Sequence, residues 1–208
     1  MWAQSDPMIL AFDTSSAACT AALFDGSGAC VARIDEVIGR GHAERLVPLI
    51  AELLDGQKAD EILVGVGPGS FTGIRVGIAA AHGLAIGWNA KLSGMDSLAL
   101  LAASARGTPV ATAVIGGHGE LFVQEYDAGG SPISELASLP RHEAAAVIKA
   151  DLVIGSAAAA LVEARGWGEV RHALPSAANA LALPVGLRSL AAKPVYARAP
   201  DTKIKVAA

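Results

Sequence analysis

Residues 62–86 constrain the fold most. Ile62 to Val66 is an apolar run without alternation, the pattern of a strand covered on both faces. Gly67-Pro68-Gly69-Ser70 follows it, and a helix is predicted from Phe71 to about Ile86. Within that segment Gly69, Gly73, Gly77, Ala81 and Ala85 recur at every fourth position, so one face is nearly bare backbone. A glycine inside a helix costs about 0.5–1 kcal/mol relative to alanine. Close approach of another backbone offsets that cost. The neighbour is either the chain's own sheet or a helix of another subunit.

The flanking segments build an α/β pattern around this unit. Met8–Phe12, Cys19–Phe24 and Cys30–Val37 read as a three-stranded antiparallel meander, with Asp25-Gly26-Ser27-Gly28 as a hairpin turn. His42–Leu54 reads as a helix with the apolar stripe Leu46, Leu49, Ile50, Leu53 and Leu54. A short helix is expected from about Ser97 to Ala105, and Arg106-Gly107-Thr108-Pro109 reads as a boundary. We expect two domains, 1–106 and a smaller 107–208. The second half repeats the strand-then-helix order. A hairpin is expected around Gly116–Gly119, helices at 142–149 and 157–164, a strand at 152–154 and a last helix over 176–190.

Composition excludes several roles. The net charge is −4, and the clearest basic cluster is Lys203-Ile204-Lys205. Unaided, tight binding to nucleic acid needs a basic face that this chain lacks. Cys19 and Cys30 lack CxxC spacing and read as small buried hydrophobes in a reducing compartment. The start shows no secretory signal, and His82, Asn89, Lys91 and Asp96 interrupt the long Ala/Leu-rich stretch. No membrane span and a cytoplasmic location are therefore expected. The five histidines have no second His or Cys at metal-ligand spacing, so no metal site is predicted.

Two loops invite a phosphate reading. Gly67–Gly73 joins a buried strand to a helix N-terminus, where backbone N–H groups favour an anion. It matches neither a P-loop nor GxGxxG nor GxSxG. Asp13-Thr14-Ser15-Ser16 suits a metal-bound phosphate and equally an ordinary turn.

Three segments resemble one family. They are Ile9–Ser16, Gly41–Ile50 (GHAERLVPLI) and Val66–Gly77 (VGPGSFTGIRVG), in that order and spacing, with Pro194-Val195-Tyr196-Ala197-Arg198 near the end. On these residues the chain is similar to the bacterial TsaB (YeaZ) family, with strong similarity over about 8–87. The resemblance implies an α/β, actin/Hsp70-like (ASKHA, RNase H-like) two-lobed fold with mixed sheets flanked by helices. It also implies a non-catalytic scaffold for the TsaD transferase, which forms N6-threonylcarbamoyladenosine at position 37 of ANN-decoding tRNAs. TsaE would dock on the complex, tRNA would be met only through it, and the chain alone would form a homodimer. The metal-binding HxxxH pair of TsaD is absent from this sequence.

On this resemblance the partner interface comprises His42, Glu44, Arg45, Leu46 and Leu49 of the first helix. From the second it takes Ser70, Phe71, Thr72, Gly73, Arg75, Gly77 and Ala81. Asp13, Thr14 and Ser15 would be a vestigial phosphate loop. No cofactor is required, with ATP expected at most at the shared interface. The alternative is an enzyme of the same superfamily, an M22-like peptidase or an ATP-dependent phosphotransferase. One departure stands out. Family members carry Asp-Ala-Arg in the second-lobe hairpin, where this chain has Gly116-Gly117-His118-Gly119.

Overall fold

The computed structural model describes residues 7–197. Arg198 and the Lys203–Lys205 cluster lie outside them. The first sheet contains β1 (Ile9–Asp13), β2 (Ala18–Phe24), β3 (Cys30–Val37), β4 (Glu61–Gly65) and β5 (Lys91–Met95). Helix α1 (His42–Leu54) connects β3 to β4, and α2 (Phe71–Trp88) connects β4 to β5. After α3 (Ser97–Ala103) the second sheet follows: β6 (Val110–Gly117), β7 (Glu120–Tyr126), β8 (Ala137–Pro140), β9 (Leu152–Ile154) and β10 (Glu169–Arg171). Here α4 (Arg141–Val147) and α5 (Ala158–Arg165) make the crossovers.

The sheets share one topology. The first has the order β3-β2-β1-β4-β5, and the second, read from its β8 edge, is β8-β7-β6-β9-β10. In each, an antiparallel meander is extended by two parallel strands. The repeated strand-and-helix order in the sequence is therefore a repeated unit in space.

Strand alternation divides the core into layers. On the outer face of the first sheet, Leu10, Phe12, Ile62 and Val64 pack under Leu46, Leu49, Ile74 and Ile78 of α1 and α2. On the outer face of the second, Ala111, Ala113 and Val123 pack under Ala144, Ala158 and Leu161 of α4 and α5. Between the sheets lies a third cluster, where Ala11, Phe24 and Leu63 meet Leu98, Leu101, Val110, Phe122 and Tyr126. Aromatics are few, so these layers close through alanine, leucine, isoleucine and valine.

The final helix expected over 176–190 is replaced by two 3-10 turns, Ala177–Ala182 and Val185–Leu187. Pro184 disfavours helical backbone at the residue before it, and Leu183 is extended, with φ −66° and ψ 143°. This segment returns to the first sheet. Ala177 N–H donates to Thr20 Oγ1 at 2.9 Å, Leu190 pairs with Gly94, and Val195 N–H donates to the Val66 carbonyl at 2.8 Å. Strands β5, β8 and β10 escaped the sequence reading because all three are short and none is a continuous apolar run.

Candidate functional site

The two loops with phosphate-like sequences meet at one corner, and their polar groups are already engaged. Asp13, Thr14 and Ser15 are all buried. One Asp13 oxygen accepts from Ser15 N–H at 2.8 Å and from Ser15 Oγ at 2.7 Å; the other accepts from Ser97 Oγ at 2.5 Å. Ser97 Oγ in turn accepts from Gly67 N–H at 3.1 Å. Thr14 Oγ1 donates to the Gly73 carbonyl, and Ser70 N–H donates to the Ser15 carbonyl at 2.6 Å. This network ties β1 to β4, α2 and α3, and it leaves the Asp13 carboxylate no open side. The geometry is that of a structural turn.

The corner also accounts for the inward glycines. A Cβ on Gly73 would stand 1.9 Å from the Thr14 carbonyl oxygen, and one on Gly77 would stand 2.6 Å from Thr14 Oγ1. A Cβ on Gly65 would overlap the Asp13 carboxylate. Of the two packings expected for the small-residue face, the structure shows the intramolecular one.

That placement corrects half of the expected partner surface. Gly73, Gly77 and Ala81 are buried against the chain's own first sheet. Leu46 and Leu49 are core residues at 1% and 0% exposure. His42 is buried with its Nε2 3.2 Å from the Ala18 carbonyl. A helix has one buried stripe, and in α1 and α2 the regular apolar and small positions occupy it. Glu44, Ser70, Phe71, Thr72 and Arg75 are exposed. Arg45 is half-buried and braces α1 to β3, with 2.6 Å and 2.7 Å contacts to Glu36 and Glu52. Its guanidinium holds both carboxyls below their ordinary range.

The outward face of α2 carries what the sequence reading missed. Ala79, Gly83, Ile86 and Gly87 are exposed, Ile86 at 83%. Nothing lies within 4 Å of the Cβ positions of Gly83 and Gly87. These two glycines thus have no internal reason to lack a side chain. On neighbouring α1, Val47 is exposed at 52%. Ala79, Gly83 and Gly87 repeat the four-residue spacing of the inward series, two positions out of phase with it. That second series was the available signal.

A cleft of about 660 Å³ opens between the sheets, bounded by the Ser15–Ala17 turn, the Pro68–Phe71 loop and the Ile115–His118 hairpin. At its mouth Phe71 and Tyr196 stack with ring centroids 5.2 Å apart. Arg75 lies 3.7 Å over the Phe71 ring and donates from Nε to the Tyr196 phenolic Oη at 3.0 Å. Behind the Asp13 corner sits Asp96, whose carboxyl burial pushes up to about 6. It also caps α3 by accepting from Ala99 N–H at 2.8 Å. Cys19 is buried, and burial raises its thiol to about 11, so it is inert. Cys30, expected inside, is exposed on edge strand β3. Among the described residues no group of three His, Cys, Asp or Glu side chains is placed to hold a metal ion, and no helix is long and apolar enough to cross a membrane.

Comparison with known proteins agrees with this architecture. The family model for TsaD, tRNA N6-adenosine threonylcarbamoyltransferase, matches residues 34–199. The tRNA threonylcarbamoyladenosine biosynthesis protein TsaB of Escherichia coli is 36% identical over 127 residues, covering 57% of this chain and 54% of that protein. The Haemophilus influenzae TsaB is 38% identical over 103 residues, 47% of this chain and 42% of that protein. The match thus spans about half the length of these curated relatives. In solved structures, a Pseudomonas aeruginosa protein described as similar to peptidase YeaZ superposes with a TM-score of 0.79 at 32% identity, over 92% of this chain and 100% of that one. The ethanolamine utilization protein EutJ of Carboxydothermus hydrogenoformans, at 15% identity and a TM-score of 0.50, shares the actin-like fold alone. With the family model covering most of its length and a YeaZ-type structure matching nearly all of it, the chain belongs to the TsaB (YeaZ) family and has the TsaD-like fold.

Proposed function

We propose that this protein is a non-catalytic scaffold that binds and stabilises a TsaD-type transferase in forming N6-threonylcarbamoyladenosine at position 37 of ANN-decoding tRNAs. The observation that carries the reading is the outward face of α2. Gly83 and Gly87 each weaken the helix with no compensating contact inside the chain. A partner backbone approaching along Ala79, Gly83 and Gly87 supplies that contact, with Ile86 and Val47 as flanking apolar surface. The relatives are named as tRNA threonylcarbamoyladenosine biosynthesis proteins, which supports the same pathway for this chain.

In this reading the same face joins two copies when TsaD is absent. A TsaE-type protein docks on the assembled pair, and tRNA is met through the complex, as the net charge of −4 suits. ATP, if present, sits at the shared interface and is not required by this chain. The lobe of residues 7–106 docks, the second lobe begins at residue 107 with the 177–195 segment returning to the first sheet, and the setting is cytoplasmic. A peptidase or phosphotransferase role is disfavoured on chemical grounds. Asp13 is spent on Ser15 and Ser97, and the metal-binding HxxxH pair is missing.

The test is to mix the protein with TsaD from the same organism and follow mass by size-exclusion chromatography with light scattering. A heterodimer formed at the expense of homodimer is expected. No association in the presence of ATP, TsaE and tRNA overturns the reading.

A further inference from the structure

We propose that the outer edge of β3 pairs with the same edge of a second copy of this chain, antiparallel and in one register, with Arg33 opposite the second copy's Asp35. β3 ends the first sheet, and among the described residues only β2 pairs with it. Such an edge offers unpaired N–H and C=O groups to another strand. Ile38 N–H donates to the Ala17 carbonyl at 3.0 Å, and backbone groups alternate in direction along an antiparallel strand. Glu36 and Ile34 therefore bond toward β2, while Val37, Asp35 and Arg33 turn their backbone groups outward. All three of these residues are exposed.

Charge selects the partner and the register. Among the described residues the Arg33 guanidinium has no ion-pair partner. Asp35 accepts from Thr20 and Ser176 through Oδ1, which leaves Oδ2 open. With a two-fold axis at Ile34, Arg33 of each copy meets Asp35 of the other, and Val37, 76% exposed, falls opposite Val31, 53% exposed. Opposite charges facing each other across strands stabilise a pair, and like charges destabilise it. Sliding one copy by two residues sets Arg33 against Arg33 or Asp35 against Asp35. Sliding it by one residue mismatches the outward backbone groups. Charges on an edge strand ordinarily block pairing. Here the same two charges favour one antiparallel register and oppose its neighbours.

The edge is separate from the outward face of α2. β3 and β5 are opposite ends of the first sheet, and α2 packs mainly over β4. Both surfaces can be engaged at once, so the pairing does not rest on the docking reading. One strand pair buries far less than the roughly 1,200 Å² of a stable interface, so the association is weak and is best read by trapping it. The register supplies the trap. At the axis Ile34 faces the second copy's Ile34 as a non-hydrogen-bonded pair, with Cα atoms about 4.5 Å apart, within the range of a disulfide. Val37 lies six residues from the point opposite its own counterpart, about 20 Å at about 3.3 Å per residue.

The experiment uses the full chain with Cys30→Ser, since Cys30 is exposed and Cys19 is buried. Ile34→Cys and Val37→Cys are each added to that background and oxidised mildly, and covalent dimer is followed on non-reducing gels. Ile34→Cys is expected to cross-link at least tenfold faster than Val37→Cys, although Val37 is the more exposed side chain. Adding Arg33→Asp, which sets like charges opposite each other, should slow the Ile34→Cys reaction at least tenfold while the circular dichroism and melt stay unchanged. A second reading needs no new cysteine. Sedimentation of Ile86→Asp at rising concentration should show a weak dimer, and Arg33→Asp should weaken it at least tenfold further. The proposal is overturned if Val37→Cys cross-links as fast as Ile34→Cys, if neither forms a dimer, or if Arg33→Asp leaves both the cross-linking and the sedimentation unchanged.

Discussion

Gly73 and Gly83 look alike in the sequence, since both lie inside α2 at positions where alanine would favour the helix. Their surroundings give opposite signs. At Gly73 a methyl group meets the backbone of Thr14, which the Thr14 Oγ1 to Gly73 carbonyl bond holds in place. Gly73→Ala should therefore destabilise by about 2–3 kcal/mol, as overpacking against backbone does. At Gly83 the methyl meets nothing, so Gly83→Ala should stabilise the isolated chain by about 0.5–1 kcal/mol. Urea titrations of both variants check this, and equal signs would refute it. Asp96 gives a prediction in pH. Burial raises its carboxyl to about 6, above the ordinary value, so the native state binds the proton more tightly than the unfolded chain does. Its penalty is then full above pH 6 and relieved as pH falls toward 4. Asp96→Asn keeps an acceptor for the Ala99 N–H cap and removes the charge. It should stabilise by about 2 kcal/mol at pH 7.5 and by little at pH 4.5, by thermal melts at the two values.

At the scale of the element, α2 presents two small-residue faces with different duties. The inward series meets the Thr14–Ser15 turn; the outward series Ala79, Gly83 and Gly87 is open. Ile86→Asp places a charge on the open face at a side chain that is already 83% exposed, so the melt should be unchanged. In the proposed interface it should lower self-association and TsaD binding tenfold or more, measured by light scattering and calorimetry. Unchanged binding would move the interface elsewhere. The contrast also shows what the sequence made legible. Periodicity identified α1, α2 and the meander nearly to the residue, because long amphipathic or doubly buried segments carry strong signals. Direction was hidden. The spacing at Gly69, Gly73 and Gly77 announced a close approach, but only the position of Thr14 says from which side it comes. The Asp13 corner was hidden for the same reason, since its partner Ser97 lies 84 positions away. The short edge strands carry three to five residues each and no periodicity strong enough to detect.

The whole molecule joins two sheets of like topology, yet its central core belongs to neither alone. Ala11, Phe24 and Leu63 of the first sheet share a cluster with Val110, Phe122 and Ile154 of the second, and α3 contributes Leu98, Leu100 and Leu101 between them. Ala177, Ala180 and Leu183 complete that cluster from a segment that follows the second sheet in sequence. The same segment is tied back by polar bonds. Asp35 accepts from both Thr20 Oγ1 and Ser176 Oγ, and Thr20 Oγ1 accepts from Ala177 N–H. A cut after residue 106 would strip the inner face of the first sheet and leave Met95, Leu98 and Leu101 facing water. A fragment of residues 7–106 should therefore retain strand and helix signals in far-ultraviolet circular dichroism but bind a hydrophobic dye and melt without a sharp transition. Residues 7–197 should unfold in one cooperative step, with calorimetric and van't Hoff enthalpies equal. Asp35→Ala should keep that single step and lower the midpoint. It should also speed amide exchange over residues 176–183, where a bond to the first sheet has been lost. Two resolved transitions in the intact chain, or a fragment that melts sharply, would mean that the sheets fold independently and that the shared cluster contributes little to cohesion.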